Sequence, residues 1–189
     1  TNKLYGLLEI AASSYGFAVT SYVGQNLGAR LVDRIKKGMR SAPAIAVITS
    51  VIIGAAMLVF GRLILSLFIS GDPGEVEASL QIAFHYLSIM AVCLPILYLL
   101  YIYRSGLMGL GDTVVPMLSG FAEMVVRMGV VLLLPIWMGQ EGVYYAEVGA
   151  WTAAAVILAA AYYVRIGNIA RRKGFARQEG ESSEQEERG

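Results

Sequence analysis

The residues of this sequence best placed to do chemistry are the ionisable side chains inside long apolar stretches. Glu123 and Arg127 lie near the middle of the apolar run 114–138, four residues apart with the acid first. This order favours an ion pair within one helix, and burying a charge in a membrane costs about 2.5–3.5 kcal/mol. Ser119 and Gly120 lie one turn earlier on the same side. Two interpretations follow: a proton- or cation-responsive carboxylate facing an aqueous cavity, or a self-neutralised pair that fixes helix packing.

A second polar stripe begins with an acid in the first apolar run. Small and hydroxyl residues follow it at steps of three or four, at Glu9, Ser13, Gly16, Thr20 and Gly24. Residues at this spacing either let two helices approach closely or line a polar path. Both interpretations remain open, and Ser13 and Thr20 are candidates for the lining of a pathway. Glu9 is predicted near the outer end of its helix, where water reaches it. With Glu123 and Arg127, it is a candidate for transport or ion coupling.

The third apolar run contains Pro95 and then Tyr98, Tyr101 and Tyr103. Pro95 removes a helical hydrogen bond and predicts a kink at mid-membrane. Discontinuous helices are common at transporter sites, although proline is also ordinary in membrane helices. Aromatic rings attract organic cations, but tyrosines also form belts at membrane interfaces. Pro95 and Tyr98 are therefore candidates for the lining of a transport pathway.

Composition places these residues in a membrane protein. Hydrophobic residues make up 57% of the 189 and charged ones 15%, against about a quarter charged in soluble domains. The apolar runs predict an all-α fold with about five membrane-spanning helices at residues 6–27, 43–69, 76–103, 114–138 and 143–166, each long enough to cross a bilayer. We expect residues 1–170 to form one transmembrane unit and 171–189 a polar, disordered, cytoplasmic tail.

The distribution of positive charge predicts the orientation. Lysine and arginine concentrate in the first loop, beside the third loop and after the last run, at Arg30, Arg34, Lys36, Lys37, Arg40, Arg104, Arg165, Arg171, Arg172, Lys173 and Arg177. The second loop, around 70–75, is acidic, and the fourth, 139–142, carries only Glu141. The odd loops and the C-terminus are therefore predicted to be cytoplasmic. Because the chain begins with Thr1, facing outward and without a signal peptide, we expect it to be a fragment.

Enzymatic function is not expected. The sequence has no phosphate-binding loop, no metal-ligand spacing and no nucleophile–base set, and its one cysteine, Cys93, lies inside an apolar run. We therefore expect no metal, no cofactor and no nucleic-acid partner. Any transport would draw its energy from an ion gradient.

Two glycine-rich motifs resemble those of the multidrug and toxin extrusion (MATE) family. The stretch 23–29, VGQNLGA, precedes 33–38, DRIKKG, and contains Gly24, Gln25, Asn26 and Gly28. The stretch 106–113, GLMGLGDT, precedes Pro116 and contains Gly109, Gly111 and Asp112. The family has closely similar motifs after the second and fourth helices of a lobe, in this order and spacing, and Gly149-Ala-Trp151 also fits the start of its last helix.

This resemblance implies a fold and a function. The five runs would be helices eight to twelve of a twelve-helix, two-lobe transporter of the inner (plasma) membrane, whose partner within the same chain is the missing N-terminal lobe. The resemblance implies an antiporter that expels organic cations and other xenobiotics in exchange for H+ or Na+. In its sodium-coupled branch an acidic residue occupies the position of Leu97, so coupling would rest elsewhere, either in the absent lobe or on Glu123.

Two alternatives belong to other functional classes. The same superfamily contains flippases of lipid-linked precursors, which would need a more cationic cavity for a pyrophosphate headgroup; Arg127 is the one arginine deep in a predicted span, and Glu123 is placed to neutralise it. The other alternative is a non-transporting membrane scaffold or remnant.

Overall fold

The structure of the protein is a computed structural model whose described residues form α-helices. It describes the backbone of residues 2–66, 73–133 and 141–186, and side chains at 6, 9–66, 76–77, 79–129 and 148–171. The five helices are α1 (Asn2–Gly28), α2 (Val32–Ser66), α3 (Pro73–Gly109), α4 (Val114–Leu133) and α5 (Glu141–Glu186). No strand occurs among these residues. The predicted all-α fold class is confirmed.

Length and composition make this a multi-pass membrane protein. Within the described residues, three segments are long and apolar enough to cross a bilayer, Val32–Ser66, Ser79–Gly109 and Val148–Arg171. Large apolar side chains such as Phe17, Val59 and Val92 point outward and are exposed, as expected where lipid rather than water surrounds the helices. That α1 and α4 also cross the bilayer stays a prediction.

Helix α3 is the centre of the bundle. It packs against α1, α2 and α5, whereas α4 packs mainly against α5 and touches α3 at few positions. Most of the largest fully buried side chains lie on α3 and α5, among them Tyr98, Leu100, Ile102, Trp151, Leu158 and Tyr162. Side chains on the central helix therefore face several neighbours at once.

Three helices extend well beyond the predicted runs, and one of them, α3, ends at Gly109 rather than residue 103. Helix α2 begins at Val32 rather than residue 43, because the basic segment after the first turn continues the helix. Helix α5 continues to Glu186, through most of the segment predicted to be a disordered tail. That segment is rich in Arg, Glu and Gln, which are good helix formers. The predicted loop 70–75 and loop 139–142 lie outside the residues whose side chains are described.

A glycine on α2 lies directly against the backbone of α3. Pro95 has no N–H, so the Ala91 carbonyl one turn earlier lacks its usual helical donor. A Cβ added to Gly54 would lie 2.7 Å from this carbonyl oxygen. Gly54 therefore allows the two backbones to approach at the point where Pro95 interrupts the hydrogen bonds of α3, as small residues do in membrane helix pairs.

We expect Gly54→Ala to lower the stability of the bundle by about 1–3 kcal/mol, because the added methyl group forces α2 away from Ala91. Thermal unfolding in detergent, followed by reaction of the Cys93 thiol with a fluorogenic dye, measures the change. Gly120→Ala on α4 is the matched control, since a Cβ there meets no atom within 4 Å. Equal melting temperatures for the two variants would contradict this account of the α2–α3 contact.

Candidate functional site

A cavity of about 380 Å³ lies between α1, α3, α4 and α5. It contains all three ion-coupling candidates predicted from the sequence, Glu9, Glu123 and Arg127, together with Arg104 and Tyr101 of α3. Its other described lining is largely apolar and comprises Leu97, Leu100, Gly120, Met124, Met128 and Trp151. Residues far apart in sequence thus form one site with two carboxylates and two guanidinium groups on a hydrophobic wall.

Glu123 has two described partners that the sequence analysis did not name. Nη2 of Arg104, on α3, donates to Oε1 of Glu123, and the Ser119 hydroxyl lies 3.3 Å from the same oxygen. The two charged side chains are 24% and 13% exposed. Arg127 lines the same cavity and makes interactions of its own. The carboxylate therefore joins α4 to α3, in addition to any contact along its own helix.

Sequence reasoning missed Arg104 because it counted this residue as a charge flanking the third loop. Helix α3 instead continues to Gly109, which places Arg104 inside the bundle. The sequence does carry a signal for this position. Tyr101 lies three residues earlier, and residues at this spacing share a helix face, so the pair predicts one polar face on α3.

Glu9 is held by that same face of α3. The Tyr101 hydroxyl donates to Oε1 of Glu9 over 2.8 Å. Tyr101 and Arg104 thus give each carboxylate of the cavity one donor from a single turn of the central helix. A carboxylate with few partners inside the membrane retains capacity to accept from a ligand.

In the remainder of the α1 stripe, Gly16 and Thr20 contact α3, whereas the Ser13 hydroxyl bonds to its own helix. The Ser13 hydroxyl donates to the Ile10 carbonyl of its own helix, and the Thr20 hydroxyl donates to the Ser105 carbonyl of α3 over 3.2 Å. A Cβ on Gly16 would lie 2.7 Å from the Ser105 hydroxyl. Ser13 and Thr20 are not among the described residues that line the cavity.

The other two pathway candidates, Pro95 and Tyr98, are also not among the described residues that line the cavity. Tyr98 is fully buried, and its ring packs against Tyr15 with 5.9 Å between ring centroids. Pro95 is half-buried in the middle of α3. Leu97, where the resemblance implies an acid in sodium-coupled members, is buried and contributes an apolar surface to the cavity.

The first glycine-rich motif forms the turn between α1 and α2. The Leu31 N–H donates to the Asn26 carbonyl over 2.8 Å, and the Arg30 N–H donates to the Leu27 carbonyl over 2.9 Å. Arg30 adopts the left-handed conformation, with φ 59°. These two hydrogen bonds, together with the left-handed conformation of Arg30, define a Schellman cap. Such a cap satisfies the last carbonyl groups of a helix.

The other positions of this motif support the end of α1. The Asn26 side-chain amide donates to the Tyr22 carbonyl over 2.8 Å, and the Gln25 carbonyl accepts from the Ala29 N–H. Gly24 faces the Gly109 carbonyl of α3, 3.8 Å from the position of an added Cβ. Gly28 is exposed at the last position of the helix.

The second motif forms the same cap at the end of α3. The Asp112 N–H donates to the Leu107 carbonyl and the Gly111 N–H to the Met108 carbonyl, both over 3.0 Å. Gly111 has φ 80°, which glycine adopts without steric cost. The cap at Arg30 therefore has a glycine counterpart at Gly111, and both family motifs encode one type of helix end.

Asp112 connects three helices through one buried carboxylate. Its Oδ1 accepts from the Val115 N–H at the start of α4 over 3.3 Å. Its Oδ2 lies 3.1 Å from Nε of Arg165 on α5, and the two side chains are 8% and 55% exposed. This residue ends α3, caps α4 and attaches both to α5 at the same end of the bundle.

We expect Asp112→Ala to destabilise the protein by about 1–2 kcal/mol, because it removes a helix cap and an ion pair whose arginine is largely exposed. Asp112→Asn retains an oxygen acceptor for the cap, and Arg165→Gln removes only the pair, so both should cost less. Thermal unfolding of the three variants tests this order. Equal losses for Asp112→Ala and Arg165→Gln would exclude the capping role.

Comparison with known proteins agrees with the two motifs. Residues 1–133 of the 189 match the MatE family model, and this match includes both glycine-rich turns and the Glu9, Arg104 and Glu123 positions. Searches of curated proteins and of solved structures each give no match. The chain belongs to the MatE family of membrane efflux transporters.

Proposed function

We propose that this chain is part of a secondary active antiporter that exports organic cations across the inner membrane in exchange for H+ or Na+. The observation that carries the proposal is the cavity in which Glu9 and Glu123 lie beside an apolar wall of leucine, methionine and tryptophan. A lipophilic cation needs both features, a negative partner and a desolvated apolar surface.

The charges of the cavity favour this substrate class over a lipid-linked pyrophosphate. Arg104 joins Arg127 in the cavity, so the lining has more positive charge than the sequence predicted. Glu9 and Glu123 balance these two arginines, and the described lining carries no formal excess of positive charge. A flippase for a pyrophosphate headgroup would need such an excess, since phosphate recognition depends on clustered cationic donors.

In this proposal the coupling ion binds where the substrate binds. Leu97 offers no carboxylate at the position where the resemblance implies one in sodium-coupled members, and Glu123 and Glu9 are the acids of the described cavity lining. Protonation of Glu123 would remove the charge that attracts an organic cation. Proton and substrate would thus compete for one group, as antiport requires.

The rest of the proposal follows the resemblance. The chain would pair with an N-terminal lobe of the same polypeptide, and its C-terminus would be cytoplasmic. The Asp112–Arg165 contact and the Gly24–Gly109 approach place the two glycine-rich turns and Arg165 at one end of the bundle. The basic residues of the first turn belong to that end, which the positive-inside rule assigns to the cytoplasm.

We expect Glu123→Gln to reduce export of ethidium about tenfold or more, because a cation loses its charged partner. The assay uses the complete gene in an efflux-deficient bacterial host, at matched membrane expression, with and without a proton-gradient collapser and with and without sodium. Loss of wild-type export on collapse of the proton gradient indicates H+ coupling, and loss only without sodium indicates Na+ coupling.

Glu77→Gln is the matched control. Glu77 also forms an ion pair with an arginine, Arg62, but both side chains are largely exposed and lie away from the cavity. This variant should export ethidium at the wild-type rate. Wild-type export by Glu123→Gln would assign Glu123 to packing, and absence of export by the wild type across several cationic dyes would exclude the antiporter.

A further inference from the structure

The cation-binding carboxylate of the cavity already holds a cation that belongs to the protein. We propose that the Arg104 guanidinium is a tethered competitor for the substrate: it occupies Glu123 in the empty cavity, and an organic cation binds by taking its place. This inference rests on the proposed function and names the residue that sets the affinity of that site.

The geometry of the pair suits exchange. Only one nitrogen of the guanidinium, Nη2, contacts a carboxylate oxygen of Glu123, and Nε is buried without a hydrogen-bond partner among the described residues. A bidentate contact, with two parallel N–H···O hydrogen bonds, is the strong arrangement between arginine and carboxylate. The Arg104–Glu123 contact is monodentate, so a competing cation has a weaker interaction to displace.

Partial exposure allows the same exchange. Arg104 is 24% exposed and Glu123 is 13% exposed, and both line a cavity with room for a ligand. A fully enclosed pair would leave an uncompensated buried charge when opened, which is strongly unfavourable. In the cavity, the released guanidinium keeps access to solvent and to a second carboxylate, Glu9, which faces the same space.

The surrounding groups limit what can replace Arg104. Tyr101 donates to Glu9 and Ser119 lies near Glu123, so each carboxylate keeps a neutral donor while the guanidinium moves. Leu97, Met124 and Trp151 supply apolar contacts that arginine does not use. A lipophilic cation gains these contacts and so compensates for the lost Arg104 pair.

Arg104→Gln should therefore bind a lipophilic cation more tightly than wild type. We expect a dissociation constant for tetraphenylphosphonium about tenfold lower, because Glu123 no longer has to release the Arg104 guanidinium. Arg104→Lys should fall between the two, since lysine keeps the charge but loses the planar fork. The complete gene product, purified in detergent at pH 8, is titrated with radiolabelled tetraphenylphosphonium, whose charge does not change with pH.

The controls separate competition from structural effects. Arg62→Gln removes a comparable ion pair outside the cavity and should bind as wild type. Glu123→Gln should weaken binding, and Arg104→Gln should have no further effect in that background, because both changes act through one contact. Melting temperatures identify any variant that does not fold. If Arg104→Gln does not fold, the test is made with Arg104→Lys, which keeps the charge.

Three outcomes would overturn the proposal. Equal or weaker binding by folded Arg104→Gln and Arg104→Lys means that Arg104 supports the site rather than competes for it. Tighter binding that persists in the Arg104→Gln, Glu123→Gln double variant means that Glu123 is not the shared group. If no folded variant binds tetraphenylphosphonium and the wild type does not export ethidium, the antiporter is rejected as well. If the wild type exports ethidium but the Arg104 variants bind as wild type does, only the competition is rejected.

Discussion

The cost of placing a charge inside a bilayer is the constraint on which the arrangement of this site depends. Glu123 and Arg104 lie on helices that have few other contacts with each other, and each supplies the charge that the other needs. Neither side chain would be stable there alone, because an isolated ion in a membrane interior costs several kcal/mol. The position of α4 beside α3 and the polar character of the cavity therefore follow from the same ion pair.

Helix α3 can serve this pair because other contacts fix its C-terminal end and its middle. The Schellman cap at Gly111 ends the helix, and Asp112 attaches that end to α4 and α5. At the other side of Pro95, Gly54 brings α2 against the α3 backbone. These contacts involve no residue of the cavity lining. The segment between these contacts positions Tyr101 beside Glu9 and Arg104 beside Glu123. The binding groups are therefore carried by a helix, which is more rigid than a loop.

Much of this could be predicted from the sequence, and the failures have physical causes. Apolar length predicts helices directly, and rare acids within apolar runs predict Glu9 and Glu123 as members of a site, because burial makes such residues conspicuous. The same reasoning cannot select a partner on another helix. It named Arg127, four residues away, because spacing along one helix is visible in sequence and the approach of two helices is not. The Glu123–Arg127 pair stays a prediction. Arg104 lay near a predicted loop, and its burial depends on how far α3 continues.

The α1 stripe illustrates the same limit. Its spacing predicts one face correctly, but packing and pathway lining require identical residue types. The contacts of Gly16 and Thr20 with Ser105 show packing, whereas Glu9 on the same helix reaches the cavity. The two glycine-rich motifs were visible as a family resemblance, yet their shared geometry was not, because one cap uses Gly111 and the other Arg30 at the left-handed position.

The placement of α4 relates proposed cation binding at Glu123 to the attachment of this helix to α3. Its described attachments to α3 are the Arg104–Glu123 pair within the cavity and the turn that contains Asp112, while its remaining packing is against α5. A ligand that separates Arg104 from Glu123 removes one of these two attachments and leaves the turn as the other. Segments with few buried contacts respond first to a local change in free energy. In the proposed mechanism, the group that binds a cation is therefore also one of the two described attachments of α4 to α3.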